Sequence, residues 1–216
     1  MPDLRRRRTQ IRRVFGQVLA ALLLAACSSG QSTNGFINER LIDAYIPLYE
    51  RVFLIDHFAG AVVIAPNVAV TNAHNANLVA ENAVLARSAE FDLLFFRTER
   101  TIVPPVGSPY IGEDVIAYGQ QGKSGLSEAK GIIRMVDAYL PQRCPQCRVQ
   151  RSLAYDAEAG EGFSGGPVVD AASGAVLGIT FGFQNGMGQN GGRRMYAYDM
   201  DLVLSEMDRL LNPGAR

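Results

Sequence analysis

A serine lies between glycines in the stretch Gly160-Glu161-Gly162-Phe163-Ser164-Gly165-Gly166-Pro167-Val168-Val169. Glycines on both sides of a hydroxyl predict a tight turn. Absent side chains there let a substrate carbonyl approach and leave backbone N–H groups pointing at it. The chemistry such a turn suits is acyl transfer, and a serine hydroxyl needs a base to attack at neutral pH. The chain has two histidines, His57 and His74, and both precede the serine. His57 has no motif around it and reads as a loop or strand-end residue.

The elements that must position these groups are strands. From residue 50 onward, short segments rich in β-branched and aromatic residues alternate with Gly, Pro, Asn and Asp, the pattern of an antiparallel sandwich or barrel. We expect a first set of six strands over 51–56, 61–65, 68–71, 83–87, 93–97 and 114–118. A second set is expected over 129–136, 148–155, 167–170, 176–183 and 194–199, with 120–128 linking two half-barrels. Val203, Met207, Leu210 and Leu211 fall at helical spacing, so 201–211 is expected as an amphipathic C-terminal helix. The spacing around Ser164 also fits the strand-turn-helix elbow of α/β-hydrolases. Those enzymes place histidine after the serine and a helix after the turn, whereas Pro167-Val168-Val169 reads as strand.

Three stretches, in the order histidine, aspartate, serine, resemble the chymotrypsin/trypsin-like serine protease superfamily. Thr71-Asn72-Ala73-His74 is similar to its Thr-Ala-Ala-His, Phe91-Asp92-Leu93-Leu94 to its Asp-Ile-Ala-Leu, and Gly162 to Pro167 to its Gly-Asp-Ser-Gly-Gly-Pro. The resemblance spans about residues 50–211 and implies an all-β fold of two six-stranded antiparallel barrels with a C-terminal helix. It implies a triad of Ser164, His74 and Asp92, an oxyanion hole from the N–H groups of Gly162 and Ser164, and no cofactor. Thr180-Phe181-Gly182 resembles the Ser-Trp-Gly edge strand that pairs with the substrate backbone, and Glu158, six residues before the serine, sits where the trypsin branch holds a specificity carboxylate. The Gly-rich run 182–192 is expected as a loop at the pocket wall.

The chain also departs from the pattern. Only 18 positions separate Asp92 from His74, which leaves Glu90 as a rival acid. Phe163 stands where many relatives carry the Asp that receives a freed N-terminus, so we expect a site with no such switch. Asn72 could crowd the cleft, and Asn75 replaces a cysteine common after the histidine.

The N-terminal part has another character. Arg5, Arg6, Arg7, Arg8, Arg12 and Arg13 precede a mostly apolar run over 14–26 that ends Leu24-Ala25-Ala26-Cys27. The run is too short to span a bilayer as a helix and reads as a secretory signal. It resembles a bacterial lipoprotein signal, which implies a lipidated Cys27 as the mature N-terminus and attachment to a membrane, with Ser28 compatible with the outer membrane. An ordinary exported protein cut near Ala26 is the alternative. Polar residues 28–35 read as a flexible tether reaching at most about 29 Å, within an expected leader, lipidation and tether segment ending at 38. Without residues 1–26 the chain has 15 basic and 20 acidic groups, a balance that argues against a nucleic-acid partner. Cys144 and Cys147 form a short CPQC loop. In an oxidising compartment a disulfide is favoured over free thiols, and a metal site lacks further ligands.

These readings converge on an exported, membrane-attached serine endopeptidase acting on peptides or proteins. A non-catalytic peptide-binding or scaffolding protein on the same barrels is the alternative, and an esterase would use the same site.

Overall fold

The computed structural model describes residues 30–33, 35–53, 55–122, 125–138 and 152–214. Twelve strands and two helices order these residues. β1 (Gln31–Ser32) and α1 (Glu39–Ala44) are followed by β2 (Tyr45–Val52), β3 (Ile55–Ala65), β4 (Val68–Thr71), β5 (Val84–Arg87) and β6 (Leu94–Arg97). The second half contains β7 (Asp114–Gln120), β8 (Leu126–Ala138), β9 (Ser152–Ala157), β10 (Pro167–Asp170), β11 (Val176–Asn185), β12 (Arg193–Asp199) and α2 (Met200–Leu211).

The strands form two antiparallel sheets. One runs β8-β7-β10-β11-β12-β9 and closes through β9 on β8, making a six-stranded barrel to which β1 adds at the β8 edge. The other runs β2-β3-β4-β6-β5. This is the chymotrypsin-like architecture expected from the resemblance, with five strands in the first sheet among the described residues. The count differs for two reasons. Residues 51–56, expected as one strand, hold the turn of a long β2–β3 hairpin whose tip residue Phe53 has φ +56 and is 93% exposed. Its apolar residues imitate a half-buried strand.

Residues 114–118, expected in the first barrel, pair instead with β8 and β10. Their alternation could not assign them, because both faces of β7 are buried. Val115 and Ala117 join the interior of the closed barrel, while Ile116 and Tyr118 join the core between the halves. The expected link at 120–128 therefore falls within the β7–β8 hairpin, where Gln120 pairs with Leu126, and the chain crosses between halves over 98–113, where Val106 bridges Val176.

The core between the sheets collects Val62, Val70 and Phe95 from one side, Val169, Ile179 and Tyr198 from the other, and Met200, Leu202 and Val203 of α2. Helix α2 matches the expected one, begun by Asp199, whose side chain accepts the Leu202 N–H at 2.7 Å. The site lies along the seam between the halves.

The expected tether is corrected over residues 30–33 and 35–38. Gln31 and Ser32 pair with Glu128 and Ser127 of β8. Phe36 packs on Tyr45 and Tyr118, the Ile37 N–H donates to Tyr118 Oη at 2.9 Å, and Asn38 caps α1. A polar segment needs little apolar area of its own when an existing sheet edge supplies the partners. Cys27, Cys144 and Cys147 lie outside the described residues.

Candidate active site

β4 ends at Thr71, and a 3₁₀ turn over Ala73–Leu78 carries His74 away from the sheet. Asn72 is fully buried and donates to the Asp92 carbonyl at 3.1 Å. It therefore fastens the neighbouring turn instead of crowding the cleft. Asn75 is also buried. Its Nδ2 donates to Thr71 Oγ1 at 3.1 Å and reaches the Ser164 carbonyl at 3.5 Å, so more than a lost disulfide follows from this residue.

Both oxygens of the Asp92 carboxylate face His74. Oδ2 lies 2.5 Å from Nδ1 of the ring, and Oδ1 accepts the His74 backbone N–H at 2.9 Å. Glu90, the rival acid, is exposed, and its N–H is held by Ser88 Oγ. The turn between β5 and β6 is short enough to explain the 18-residue interval. It closes through Ser88 N–H to the Leu93 carbonyl at 3.0 Å and Leu93 N–H to the Phe91 carbonyl at 2.8 Å. From the other half of the molecule, Tyr198 Oη accepts the Asp92 N–H at 3.1 Å.

The serine turn is built from backbone. Phe163 N–H donates to the Gly160 carbonyl at 3.2 Å, Gly166 N–H to the Phe163 carbonyl at 3.0 Å, and Gly165 N–H to the Thr180 carbonyl at 2.8 Å. Gly60 of β3 donates to the Ser164 carbonyl at 2.9 Å, drawing the turn against the sheet that bears His74. Gly162 (φ +87) and Gly165 (φ +77) occupy the left-handed region. A Cβ on either would stand 2.1 Å from a carbonyl oxygen, of Gln120 and Gly60 respectively. Among the described residues, the N–H groups of Gly162 and Ser164 have no protein acceptor, and Ser164 Oγ makes no hydrogen bond. Phe163 is fully buried in the barrel core, with Gly30 and Gly119 against its ring. The N-terminal segment thus meets this position through an apolar contact.

The expected substrate residues separate into two groups. Thr180 is buried, its Oγ1 bonded to Tyr155 Oη at 2.8 Å and its backbone stitched to Gly165 and Gly166. Phe181 is the bulged residue of the β11–β12 ladder and stacks on Tyr198 at 4.3 Å, while Gly182 faces open space. Past Thr180, β11 leaves β10 and the serine turn behind and pairs only with β12 among the described residues. The result is an open strand edge beside the serine turn.

Glu158 is exposed. Its carboxylate lies near Gly192, and its carbonyl accepts the Gly30 N–H. It also lines a cavity of about 400 Å³ with Gly30, Gln31, Glu128, Ala129 and Lys130, away from His74 and Ser164.

The expected glycine-rich loop is part of the β11–β12 hairpin and is tied down by charge. Asp156 accepts from Arg134 Nε at 3.0 Å, Arg194 Nε at 2.9 Å and the Gln189 N–H at 3.0 Å. Burial pushes the Asp156 carboxyl up, but the hydrogen bonds from Arg194, Gln189 and Arg134 outweigh it and hold the group below the usual carboxylate range.

A trypsin-like peptidase domain model matches residues 58–179, more than half of the chain and a span holding His74, Asp92 and Ser164. No curated protein matches. Among solved structures, the chain is similar to the Rv3671c protease of M. tuberculosis in its inactive form, at 18% identity and a TM-score of 0.61, over 85% of this chain and 98% of that one. The MamO protease domain of Magnetospirillum magneticum gives 17% and 0.60, over 77% and 97%. The HtrA-type protease AlgW with a tripeptide gives 19% and 0.63, over 81% and 63%. At these identities the likeness concerns the fold. The domain match covers most of the chain and contains the serine, histidine and aspartate turns just described, and by it the chain belongs to the trypsin-like peptidase family.

Proposed function

We propose that this protein is a serine endopeptidase that cleaves peptide bonds through an acyl-enzyme formed on Ser164. The observation that carries this reading is the two-point grip of the Asp92 carboxylate on His74. With Nδ1 protonated and held by Asp92, Nε2 is the ring's free base. In the first step Nε2 takes the Ser164 proton as Oγ bonds to the substrate carbonyl carbon, and the developing oxyanion meets the unpaired N–H groups of Gly162 and Ser164. The proton passes to the leaving nitrogen as the C–N bond breaks, and water repeats the sequence to release the acid. The open edge of β11 beyond Thr180 suits a substrate strand added in extended form, and Glu158 beside Gly192 is the group we assign to any preference for Arg or Lys. The leader supports export and a lipid anchor on Cys27.

A second reading, a peptide-binding or scaffolding protein without turnover, is favoured by Ser164 Oγ, which makes no hydrogen bond among the described residues. Resting sites often show long catalytic contacts that tighten with substrate. Fluorophosphonate labelling separates the two. The first expects one adduct on Ser164 by mass, absent in Ser164→Ala and His74→Ala. A folded protein that stays unlabelled beside a reactive protease supports the second.

A further inference from the structure

Helix α2 carries a carboxylate that the chemistry above does not use. Glu206 is 4% exposed, a burial that a charged carboxylate tolerates only with partners. Arg209 supplies a two-pronged bond, Nε to Oε2 at 2.7 Å and Nη2 to Oε1 at 2.6 Å. The third partner comes from 118 positions away: Ser88 Oγ donates to Oε1 at 2.5 Å.

A hydroxyl has one proton to give. By accepting it, Glu206 directs the lone pairs of Ser88 Oγ away from itself, and these accept the N–H groups of Glu90 at 3.1 Å and Phe91 at 3.0 Å. Those amides belong to the turn that ends in Asp92. The opposite side of the same turn is held by Tyr198 of β12 through the Asp92 N–H. Asp92 is flanked by strands of the first sheet, yet two of its supports, α2 and β12, come from the second half of the chain. Burial raises the Glu206 proton affinity, but the bonds from Arg209 and Ser88 outweigh it and keep the group ionised. The charged groups around it are Arg209 and, beyond Arg209, Glu90.

We propose that Glu206 is a positioning residue for the active site: through Ser88 it fixes the β5–β6 turn so that both Asp92 oxygens stay on His74, making the C-terminal helix part of the acid's scaffold. The inference rests on the reading of Asp92 as the partner that orients His74 during acyl transfer.

The test combines kinetics with proton NMR on the full chain. Only two histidines are present, so the Nδ1–H proton of His74 can be identified against His57 by its loss in His74→Asn. Glu206→Ala is expected to lower kcat about 10- to 100-fold with KM within twofold, as for a misplaced catalytic group. The His74 Nδ1–H resonance should shift or vanish while His57 stays unchanged. Glu206→Gln keeps an oxygen for Ser88 and should recover most of the loss. Asp201→Asn, an exposed change in the first turn of the same helix, should leave both readouts at wild-type values. If Glu206→Ala does not fold, Ser88→Ala, which deletes one oxygen, is expected to move both readouts in the same direction.

A folded Glu206→Ala or Ser88→Ala protein with wild-type kcat and an unchanged His74 resonance overturns the proposal. If the wild-type protein neither labels nor hydrolyses peptides, the peptidase reading fails by itself, and the resonance still decides whether Glu206 orders the Asp92 turn.

Discussion

Two turns bring the reacting groups to the seam, and they are held by opposite means. The serine turn is fixed by backbone: hydrogen bonds from Gly60, Gly165 and Gly166, and two glycines whose added Cβ would strike a carbonyl. The Asp92 turn closes on two backbone bonds of its own, but it is anchored to its surroundings by side chains, from Ser88 and Asn72 nearby and from Tyr198 and Glu206 far along the chain. A backbone-built turn tolerates almost no substitution at its special positions. A side-chain-built turn can be loosened in steps, one bond at a time, which makes its contributions separable.

The largest effect is expected at Asp92, the acid that the side-chain-anchored turn presents to His74. Asp92→Asn leaves the shape intact but removes the acceptor that fixes the His74 tautomer, and kcat should fall about 10⁴-fold. Steady-state hydrolysis checks this, and a drop below tenfold would mean that another group orients the ring. Gly165→Ala tests the backbone-built side. Its Cβ would meet the Gly60 carbonyl and Thr71 Oγ1 at 2.1 and 2.2 Å, so fluorophosphonate labelling should slow by about 10²- to 10³-fold, comparable to loss of an oxyanion donor. Labelling at the wild-type rate would show that the turn has room to spare.

Tyr198→Phe removes one support of the side-chain-built turn while keeping the ring that stacks on Phe181. A loss of about tenfold in kcat is expected, with KM unchanged.

The hairpin after β11 extends the comparison to a segment held by charge. Asp156, with its side chain 11% exposed, binds two arginines and the Gln189 amide. Its folded pKa lies below the unfolded one, so its contribution is present above about pH 4 and fades as the pH falls through the folded value. Urea unfolding of Asp156→Asn should show a deficit of about 2 kcal/mol at pH 7 that narrows on acidification from about pH 4. Equal deficits at pH 7 and in acid would exclude the charge as the cause.

The same contrast explains what could be read from sequence. Glycine requirements are local, so the serine turn stood out as a motif, and Thr71 to His74 followed as the end of a strand. The acid was harder, since choosing between Asp92 and Glu90 needs the geometry of a turn. Ser88, Tyr198 and Glu206 gave no signal, because each is an ordinary residue type whose role depends on a partner about a hundred positions away. Asn75 was visible only as a missing cysteine. Strand β7 is legible as a strand but its sheet is not, because both of its faces are apolar and alternation identifies a strand without naming its neighbours. Composition does not reveal the pairing of Gln31 and Ser32 for a similar reason, since joining an edge asks little of the side chains.

The docking of β1 shortens any leash. Gly30 is already bonded to Glu158 and seated on Phe163, the residue before the serine, so only Ser28 and Ser29 separate it from Cys27. Three steps of chain cover at most about 11 Å. An acylated Cys27 would therefore draw the rim formed by β1 and β8 down onto the headgroups. On the proposed lipid anchor, that rim would stay within about 11 Å of the bilayer surface.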